Sequence, residues 1–290
     1  MTDRFAPRVS APRGSGARVA AFFDLDKTII AKSSAFAYSR QFLSNGLITP
    51  AAAVQMSFAQ AAYMLHGHSS EQMDATRDQL AAMIKGWDVE QVRRIAQETL
   101  HTVVTPAIYQ EARDLIAHHQ ALGHVVVIIS ASAYELVAPI AHELGVSDMV
   151  TTRLDIADGR YTGEILQYLK GDAKAEAIRK LVDELHLDLD RCFAYSDSTT
   201  DVPMLEIVGN PVAVNPDRSL RKTAIERGWD IMVFKNPVPL FVLPSKKKMQ
   251  VSTTVVAAAA AVAGAWWLTR DGSAANQLGQ AFGQLKRRKP

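Results

Sequence analysis

Two pairs of aspartates have the type and spacing that metal-dependent chemistry requires. Asp24 and Asp26 directly follow an apolar run at residues 19–23. Asp197 and Asp201 follow another apolar run and lie where a loop passes into a predicted helix. Unpaired carboxylates that share a small site repel one another, and a divalent cation removes that repulsion. Magnesium prefers oxygen ligands, so these side chains suit a magnesium site.

A serine and a lysine accompany these aspartates along the chain. Ser130 follows a strongly apolar stretch at residues 125–129, and Lys174 lies near the start of a predicted helix. Each of these polar residues also has a structural explanation, since serine and aspartate cap helices and a lone lysine is usually solvated. In open parallel sheets, however, ligands bind at the carboxyl ends of the strands. Because most of these residues follow apolar runs, we expect them to form one site.

The elements that must position this site follow from the apolar pattern. The run at residues 19–23 is typical of a strand buried on both faces, and from residue 106 onward helices and strands alternate. Between them, residues 33–105 carry apolar residues at helical spacing and almost no strand signal. Asp158 and Gly159 predict a hairpin turn. The sequence therefore predicts an α/β protein with a Rossmann-like parallel sheet, helices on both faces, and a helical insertion after the first strand.

The composition of the chain excludes several classes of protein. The 290 residues include 32 lysines and arginines and 30 aspartates and glutamates, so the formal net charge is +2. That balance excludes a nucleic-acid binder that works through general positive charge. The single cysteine, Cys192, excludes an intrachain disulfide and a cysteine-rich zinc site, and its apolar neighbours predict a buried core residue. This use of cysteine favours a cytoplasmic catalytic domain.

The two ends of the chain differ from its middle. Residues 1–17 are basic and contain several prolines and glycines, which predicts a disordered lead rather than a secretory signal peptide. Residues 236–250 form a basic linker, and residues 269–290 form a basic tail. Residues 251–268 carry no charge and include two adjacent tryptophans near their end. They predict either a membrane anchor or an apolar helix that packs on the domain or on a partner.

In their order and strand positions, these polar segments resemble the four motifs of the haloacid dehalogenase (HAD) superfamily. The resemblance covers residues 19–234, and the matching residues are, in order, Asp24-Leu25-Asp26-Lys27-Thr28, Ser130, Lys174, and Asp197 with Asp201. It implies a HAD core at residues 18–32 and 106–235 and a helical C1 cap at residues 33–105. The members that the pattern suggests are the phosphoserine-phosphatase-like hydrolases of subfamily IB.

The resemblance also implies a role for each matched residue. Asp24 would be the nucleophile that takes the phosphoryl group. Asp26 would be the general acid to the leaving oxygen and then the base for the hydrolytic water. Ser130 and Lys174 would hold the transferring phosphoryl oxygens. An aspartate at position 26 argues against a dehalogenase, because cleavage of a carbon–halogen bond needs no proton on the leaving group.

The same resemblance implies Mg²⁺ as the cofactor. Asp24, Asp197 and the backbone carbonyl of Asp26 would bind the ion, with Asp201 and Thr28 as supporting residues. The predicted function is a magnesium-dependent phosphatase that hydrolyses a small phosphorylated metabolite through an aspartyl phosphate. The alternative is a catalytically weak HAD-fold protein that acts as a membrane- or partner-binding module. A phosphotransferase that passes the group to something other than water is a lesser variant.

Three positions depart from the pattern of phosphoserine phosphatases. Residues 29–34 contain no acidic residue, whereas those enzymes have a glutamate there for the substrate ammonium. Ser130-Ala131-Ser132 stands in place of Ser-Gly-Gly, and Thr200 stands in place of an asparagine. These changes leave the phosphoryl chemistry intact, and they argue against phosphoserine as the main substrate.

Overall fold

A seven-stranded sheet forms the centre of the computed structural model, which describes residues 17–49 and 81–235. In chain order the strands are β1 (Ala20–Phe23), β2 (Val125–Ala133), β3 (Asp148–Ala157), β4 (Arg160–Gln167), β5 (Phe193–Ser196), β6 (Asn210–Val214) and β7 (Asp230–Met232). Their order in the sheet is β4-β3-β2-β1-β5-β6-β7. Neighbouring strands run parallel except for β3 and β4, which are antiparallel.

Helices connect these strands. The α-helices that lie wholly within the described ranges are α1 (Ser34–Ser44), α2 (Val89–Thr99), α3 (Gln110–Ala121), α4 (Tyr134–Glu143), α5 (Asp172–Leu185), α6 (Val202–Glu206) and α7 (Arg218–Arg227). A π-helical turn (Leu100–Val104) and a 3-10 turn (Thr105–Ala107) join α2 to α3. The Rossmann-like α/β architecture predicted from the sequence is therefore confirmed.

The core lies on both faces of the sheet. Phe23 of β1 packs in one apolar cluster with Ile116 of α3 and Ile140 of α4. The preceding residue, Phe22, packs in the opposite cluster with Ile178 of α5. Because successive side chains of a strand point to opposite faces, burial on both faces requires the continuous apolar run that β1 shows.

The antiparallel edge of the sheet is a hairpin between β3 and β4. Asp158 has φ 51° and Gly159 has φ 74°, so both central residues of the turn are left-handed. Positive φ at both positions is the requirement of a type I′ turn, which matches the twist of the flanking strands. The hairpin predicted from Asp158 and Gly159 is confirmed.

The position of β1 in the sheet determines where the site lies. β1 has β2 on one side and β5 on the other, so the strand order runs from β1 to β2, β3 and β4 on one side and to β5, β6 and β7 on the other. Such a reversal of strand order opens a crevice at the carboxyl ends of the strands. One prediction differs in detail, because β2 does not end before Ser130 but continues to Ala133 with a shift of register against β3.

Several predictions lie outside the described residues. They concern the lead (residues 1–16), the middle of the cap (50–80), the linker (236–250), the apolar segment (251–268) and the basic tail (269–290). In residues 17–49 and 81–235, no helix has both the length and the apolar character needed to cross a bilayer.

Candidate active site

Asp24 lies where β1 leaves the sheet. Its backbone N–H donates to the Tyr195 carbonyl at 2.9 Å, and its side chain is buried. Three residues later, Lys27 has φ 63°, a left-handed conformation that lysine rarely adopts. Asp24 and Asp26 are two positions apart on the chain that leaves the strand, and residues at that spacing on an extended chain share a face. The left-handed residue turns the chain directly after Asp26.

Lys174 is buried between two aspartates. Its Nζ donates to Oδ1 of Asp24 at 2.6 Å and to Oδ2 of Asp201 at 2.7 Å, and the residue is 2% exposed. The Ser196 hydroxyl donates to the same Asp201 oxygen at 2.7 Å. The solvated-lysine explanation is therefore wrong. So is the helix-cap explanation of Asp201, because its side chain makes no capping bond to α6.

Burial shifts the pKa values of these groups. It raises the pKa of Asp24 to about 7, although Lys174 opposes the increase. It raises the pKa of Asp197 to about 8, and the charge of Asp24 adds to that increase. Burial would lower the pKa of Lys174, but the charges of Asp201 and Asp24 outweigh it and raise that pKa. The site therefore holds more negative charge than the Lys174 ammonium balances.

The loop that carries Asp197 is held in place by Asp217. Asp197 is buried, and its Oδ2 lies 4.0 Å from Nζ of Lys27. The Asp217 N–H donates to the Asp197 carbonyl at 2.9 Å, and the Asp217 carboxylate accepts the N–H and the hydroxyl of Thr199 at 2.9 and 2.6 Å. The same carboxylate caps α7 through the Leu220 N–H. Asp217 was not predicted as a site residue, although an aspartate three residues before an apolar helical position is a helix-cap signal.

Asp26 is half-buried and accepts hydrogen bonds from two segments. The Ser34 N–H at the start of α1 donates to Oδ1 at 2.9 Å, and the Ser132 hydroxyl donates to Oδ2 at 3.4 Å. Burial raises the pKa of Asp26, while the Ser34 N–H and the hydroxyls of Ser34 and Ser33 oppose that increase. A raised pKa keeps the carboxyl protonated at higher pH, which suits a general acid.

Ser130 and Thr28 are buried at the same edge of the sheet. The Ser130 Oγ accepts the Ser132 N–H at 3.1 Å, so Ser132 connects Ser130 with Asp26. Ser130 is not the cap of α4, because Ala133 occupies that position. Thr28 Oγ1 makes no hydrogen bond within the residues that the structure describes.

The available donors suit magnesium better than a metal that needs many side-chain ligands. Among residues 17–49 and 81–235, no three acidic, histidine or cysteine side chains converge on a metal site. Magnesium commonly binds only one or two carboxylates and keeps several waters, and Asp24 and Asp197 can supply those carboxylates. Cys192 is not a candidate ligand, because it is buried in the core, as predicted, and burial raises its pKa to about 11.

Comparisons with known proteins agree with this geometry. Residues 21–206 match the family model described as haloacid dehalogenase-like hydrolase. The chain is 50% identical over 240 residues to a probable phosphatase of Mycobacterium tuberculosis, covering 83% of each protein. It is 38% identical over 218 residues to a phosphoserine phosphatase of the same organism, covering 74% of this chain and 71% of that one.

A solved structure is similar as well. A protein of unknown function from Bordetella pertussis superposes with a TM-score of 0.66 at 26% identity, covering 74% of this chain and 98% of that chain. The family model matches well over half of the chain, and the fold and the order of the polar segments agree with it. The chain therefore belongs to the haloacid dehalogenase-like hydrolases and is a phosphatase enzyme of that family.

Proposed function

We propose that this protein is a magnesium-dependent phosphatase that hydrolyses a small phosphomonoester through an aspartyl phosphate on Asp24. The observation that carries this proposal is the buried contact of 2.6 Å between Asp24 Oδ1 and Lys174 Nζ at the carboxyl end of β1. Phosphoryl transfer needs an in-line nucleophile and positive charge on the equatorial oxygens. A buried carboxylate beside a buried ammonium supplies a nucleophile and a positive charge next to it.

In the first step, an Asp24 carboxylate oxygen attacks phosphorus while the bond from phosphorus to the ester oxygen breaks. Asp26 gives its proton to the leaving oxygen and becomes a carboxylate. Lys174 and the Ser130 hydroxyl hold the phosphoryl oxygens and stabilise the charge that develops on them. The products are a free alcohol and Asp24 carrying the phosphoryl group.

In the second step, water attacks phosphorus and displaces the Asp24 carboxylate. The Asp26 carboxylate takes a proton from that water, which returns Asp26 to its starting state. Inorganic phosphate then leaves. Because Asp26 gives one proton to the leaving alcohol and then takes another from the attacking water, both half-reactions use one acid–base residue.

We propose that Asp24, Asp197 and the backbone carbonyl of Asp26 hold Mg²⁺. Asp201 supports them through its bond to Lys174, and Thr28 lies beside them on the chain. The raised pKa values of Asp24 and Asp197 support this assignment, because buried carboxylates with too little neighbouring positive charge favour a cation. When bound, the ion neutralises part of the charge on the phosphoryl group.

The proposed function also includes a cap and a class of substrate. We propose that residues 33–105 form a cap over a core made of residues 18–32 and 106–235. One relative is a phosphoserine phosphatase, but residues 29–34 of this chain lack an acid to receive an ammonium group. Phosphoserine is therefore not expected to be the main substrate, and a phosphomonoester without that amine is preferred.

The experiment that tests this proposal removes the nucleophile. Asp24→Asn is expected to lower magnesium-dependent hydrolysis of 4-nitrophenyl phosphate by at least about 1,000-fold, because the amide cannot form the acyl phosphate. The matched control is Asp183→Asn, at an exposed position of α5, which should keep wild-type activity. Activity of Asp24→Asn within a few-fold of an active wild type would exclude Asp24 as the nucleophile, whereas little hydrolysis by the wild type itself would favour the catalytically weak alternative.

A further inference from the structure

Two serines that belong to different segments meet at the Asp26 carboxyl. The Ser34 and Ser132 hydroxyl oxygens lie 2.6 Å apart, although the residues are 98 positions apart in the chain. The Ser132 hydroxyl also lies 3.4 Å from Oδ2 of Asp26, and the Ser34 N–H donates to Oδ1 at 2.9 Å. Both oxygens of the carboxyl are therefore held, one from each segment.

The backbone of β2 is shaped so that residue 132 reaches this position. Ser130 pairs with Thr151 of β3, but the next pair is Ala133 with Thr152, so two extra residues of β2 stand between these pairs. The Thr152 hydroxyl donates to the Ala131 carbonyl at 2.7 Å within this bulge. Bulges next to active sites redirect a side chain away from its place in the regular strand. Here the redirected side chain is that of Ser132.

The other contact comes from the beginning of α1. Ser33 is the cap residue of α1, yet its side chain makes no capping hydrogen bond. The first N–H groups of a helix need acceptors, and Asp26 supplies one to Ser34. Ser34 is completely buried, so its hydroxyl has to be satisfied by a protein group, and the Ser132 hydroxyl is that group.

The hydroxyl protons in this network can be arranged in a single chain. Each serine has one proton to donate. If Ser132 donates to Asp26, then the short bond between the two serines must be donated by Ser34. In this arrangement the chain runs from Ser34 through Ser132 to Oδ2, and loss of the Ser132 hydroxyl removes both of its links. The hydroxyls of Ser33 and Ser34 also interact with the Asp26 carboxyl, and the Ser34 N–H bond to Oδ1 stays intact because it belongs to the backbone.

We infer that Ser132 and Ser34 are positioning residues that hold the Asp26 carboxyl in the orientation needed for proton transfer to the leaving oxygen. The inference rests on the proposed function, since it requires that Asp26 is the general acid. Neither serine touches the reacting atoms. The Ser132 N–H also contacts the Ser130 Oγ, so the same residue sets the spacing between the acid and a phosphate-binding hydroxyl.

A positioning role differs from a purely structural one in how it depends on the leaving group. The 4-nitrophenolate ion leaves without a proton, whereas the alkoxide of benzyl phosphate needs one. Loss of acid positioning therefore slows benzyl phosphate selectively. The measured quantity is kcat/KM, because it covers only the steps up to formation of the phosphorylated enzyme and omits the second use of Asp26.

In the full-length protein with magnesium, Ser132→Ala is expected to lower kcat/KM for benzyl phosphate by about tenfold, which corresponds to about 1.4 kcal/mol. For 4-nitrophenyl phosphate the change should stay below about twofold. Ser132→Thr keeps a hydroxyl and should recover most of the loss. The matched control is Ser44→Ala, which removes an exposed hydroxyl at the end of α1 and should change neither substrate.

Two results would overturn the inference. One is an equal loss for both substrates, which would indicate a general structural or phosphate-binding role; the other is no loss with benzyl phosphate. Since Ser34→Ala changes a fully buried site and can fail to fold, Ser132→Ala at a half-buried position is the decisive variant. Failure of the proposed function is recognised separately, because Asp24→Asn would then remain active on 4-nitrophenyl phosphate.

Discussion

Replacement of Lys174 by methionine is the most informative test of how the site is held together. Lys174 is 2% exposed, and its ammonium lies between Asp24 and Asp201, whose exposed fractions are 6% and 2%. Methionine keeps the length and the apolar part of the side chain but removes the charge. Two buried carboxylates then face each other without the cation that bonds to both of them in the wild type.

The expected loss of stability follows from the burial of those charges. Removal of one partner from a buried ion pair usually costs about 3–5 kcal/mol, because the remaining charge is left unpaired. For a domain of this size, each 1 kcal/mol shifts the melting temperature by about 2–4 °C, so Lys174→Met should melt about 6–20 °C below the wild type at pH 8. The control is Lys180→Met, at an exposed position of the same helix, which should melt like the wild type.

The stability deficit of Lys174→Met, which is its loss of stability relative to the wild type, should depend on pH in a definite direction. Without Lys174 the folded-state pKa of Asp24 rises further above its value in the unfolded chain, so the folded state binds more protons. A group with a raised folded pKa stabilises the fold at low pH, and this stabilisation is lost as pH rises through the folded pKa. The deficit of Lys174→Met should therefore be larger at pH 8 than at pH 5.5.

Thermal unfolding of the magnesium-free proteins at both pH values measures this deficit. Equal melting temperatures of wild type and Lys174→Met at pH 8 would refute the argument that this buried ion pair holds the site together. A larger deficit at pH 5.5 than at pH 8 would refute the assigned direction of the pKa change. Phosphatase activity is an independent measurement, since Lys174→Met should also lose most of that activity.

Two further predictions concern the metal and the core. Asp197→Ala should weaken magnesium binding by at least about tenfold in titration calorimetry, because it removes a direct carboxylate ligand, and unchanged affinity would exclude that role. Burial lowers the pKa of His119 from 6.5 to about 3, and the Tyr195 hydroxyl lies 2.8 Å from its Nε2. Since the unfolded state binds the proton first, His119 by itself should lower the free energy of unfolding by up to about 1.4 kcal/mol per pH unit below pH 6.5, whereas the raised pKa values of Asp24 and Asp197 act in the opposite direction. Urea unfolding of the wild type and of a His119 variant across this pH range separates the two contributions. His119→Gln should remove that part of the slope, and an unchanged slope would contradict the assignment.

The strand ends and their aspartates could be predicted because their signals are local. A strand buried on both faces needs a continuous apolar run, and the polar residue that follows such a run stands at the sheet edge. Asp24 and Asp197 were found in this way. Helix α7 and strand β7 were not predicted, because α7 buries only a few apolar residues and β7 is a short edge strand. Neither element carries a strong apolar period.

The roles of Lys174, Ser34 and Ser132 depend on contacts that no local pattern contains. Lys174 stands 150 residues from Asp24, and its charge alone does not distinguish a buried ion pair from a solvated side chain. A bulge in β2 redirects Ser132, and the residue types at positions 130–133 do not predict the two extra residues of that bulge. Apolar periodicity determined the α/β fold and the edge at which the site lies. The tertiary structure decided which side chains meet there, because the order β2-β1-β5 joins segments that are far apart in the chain.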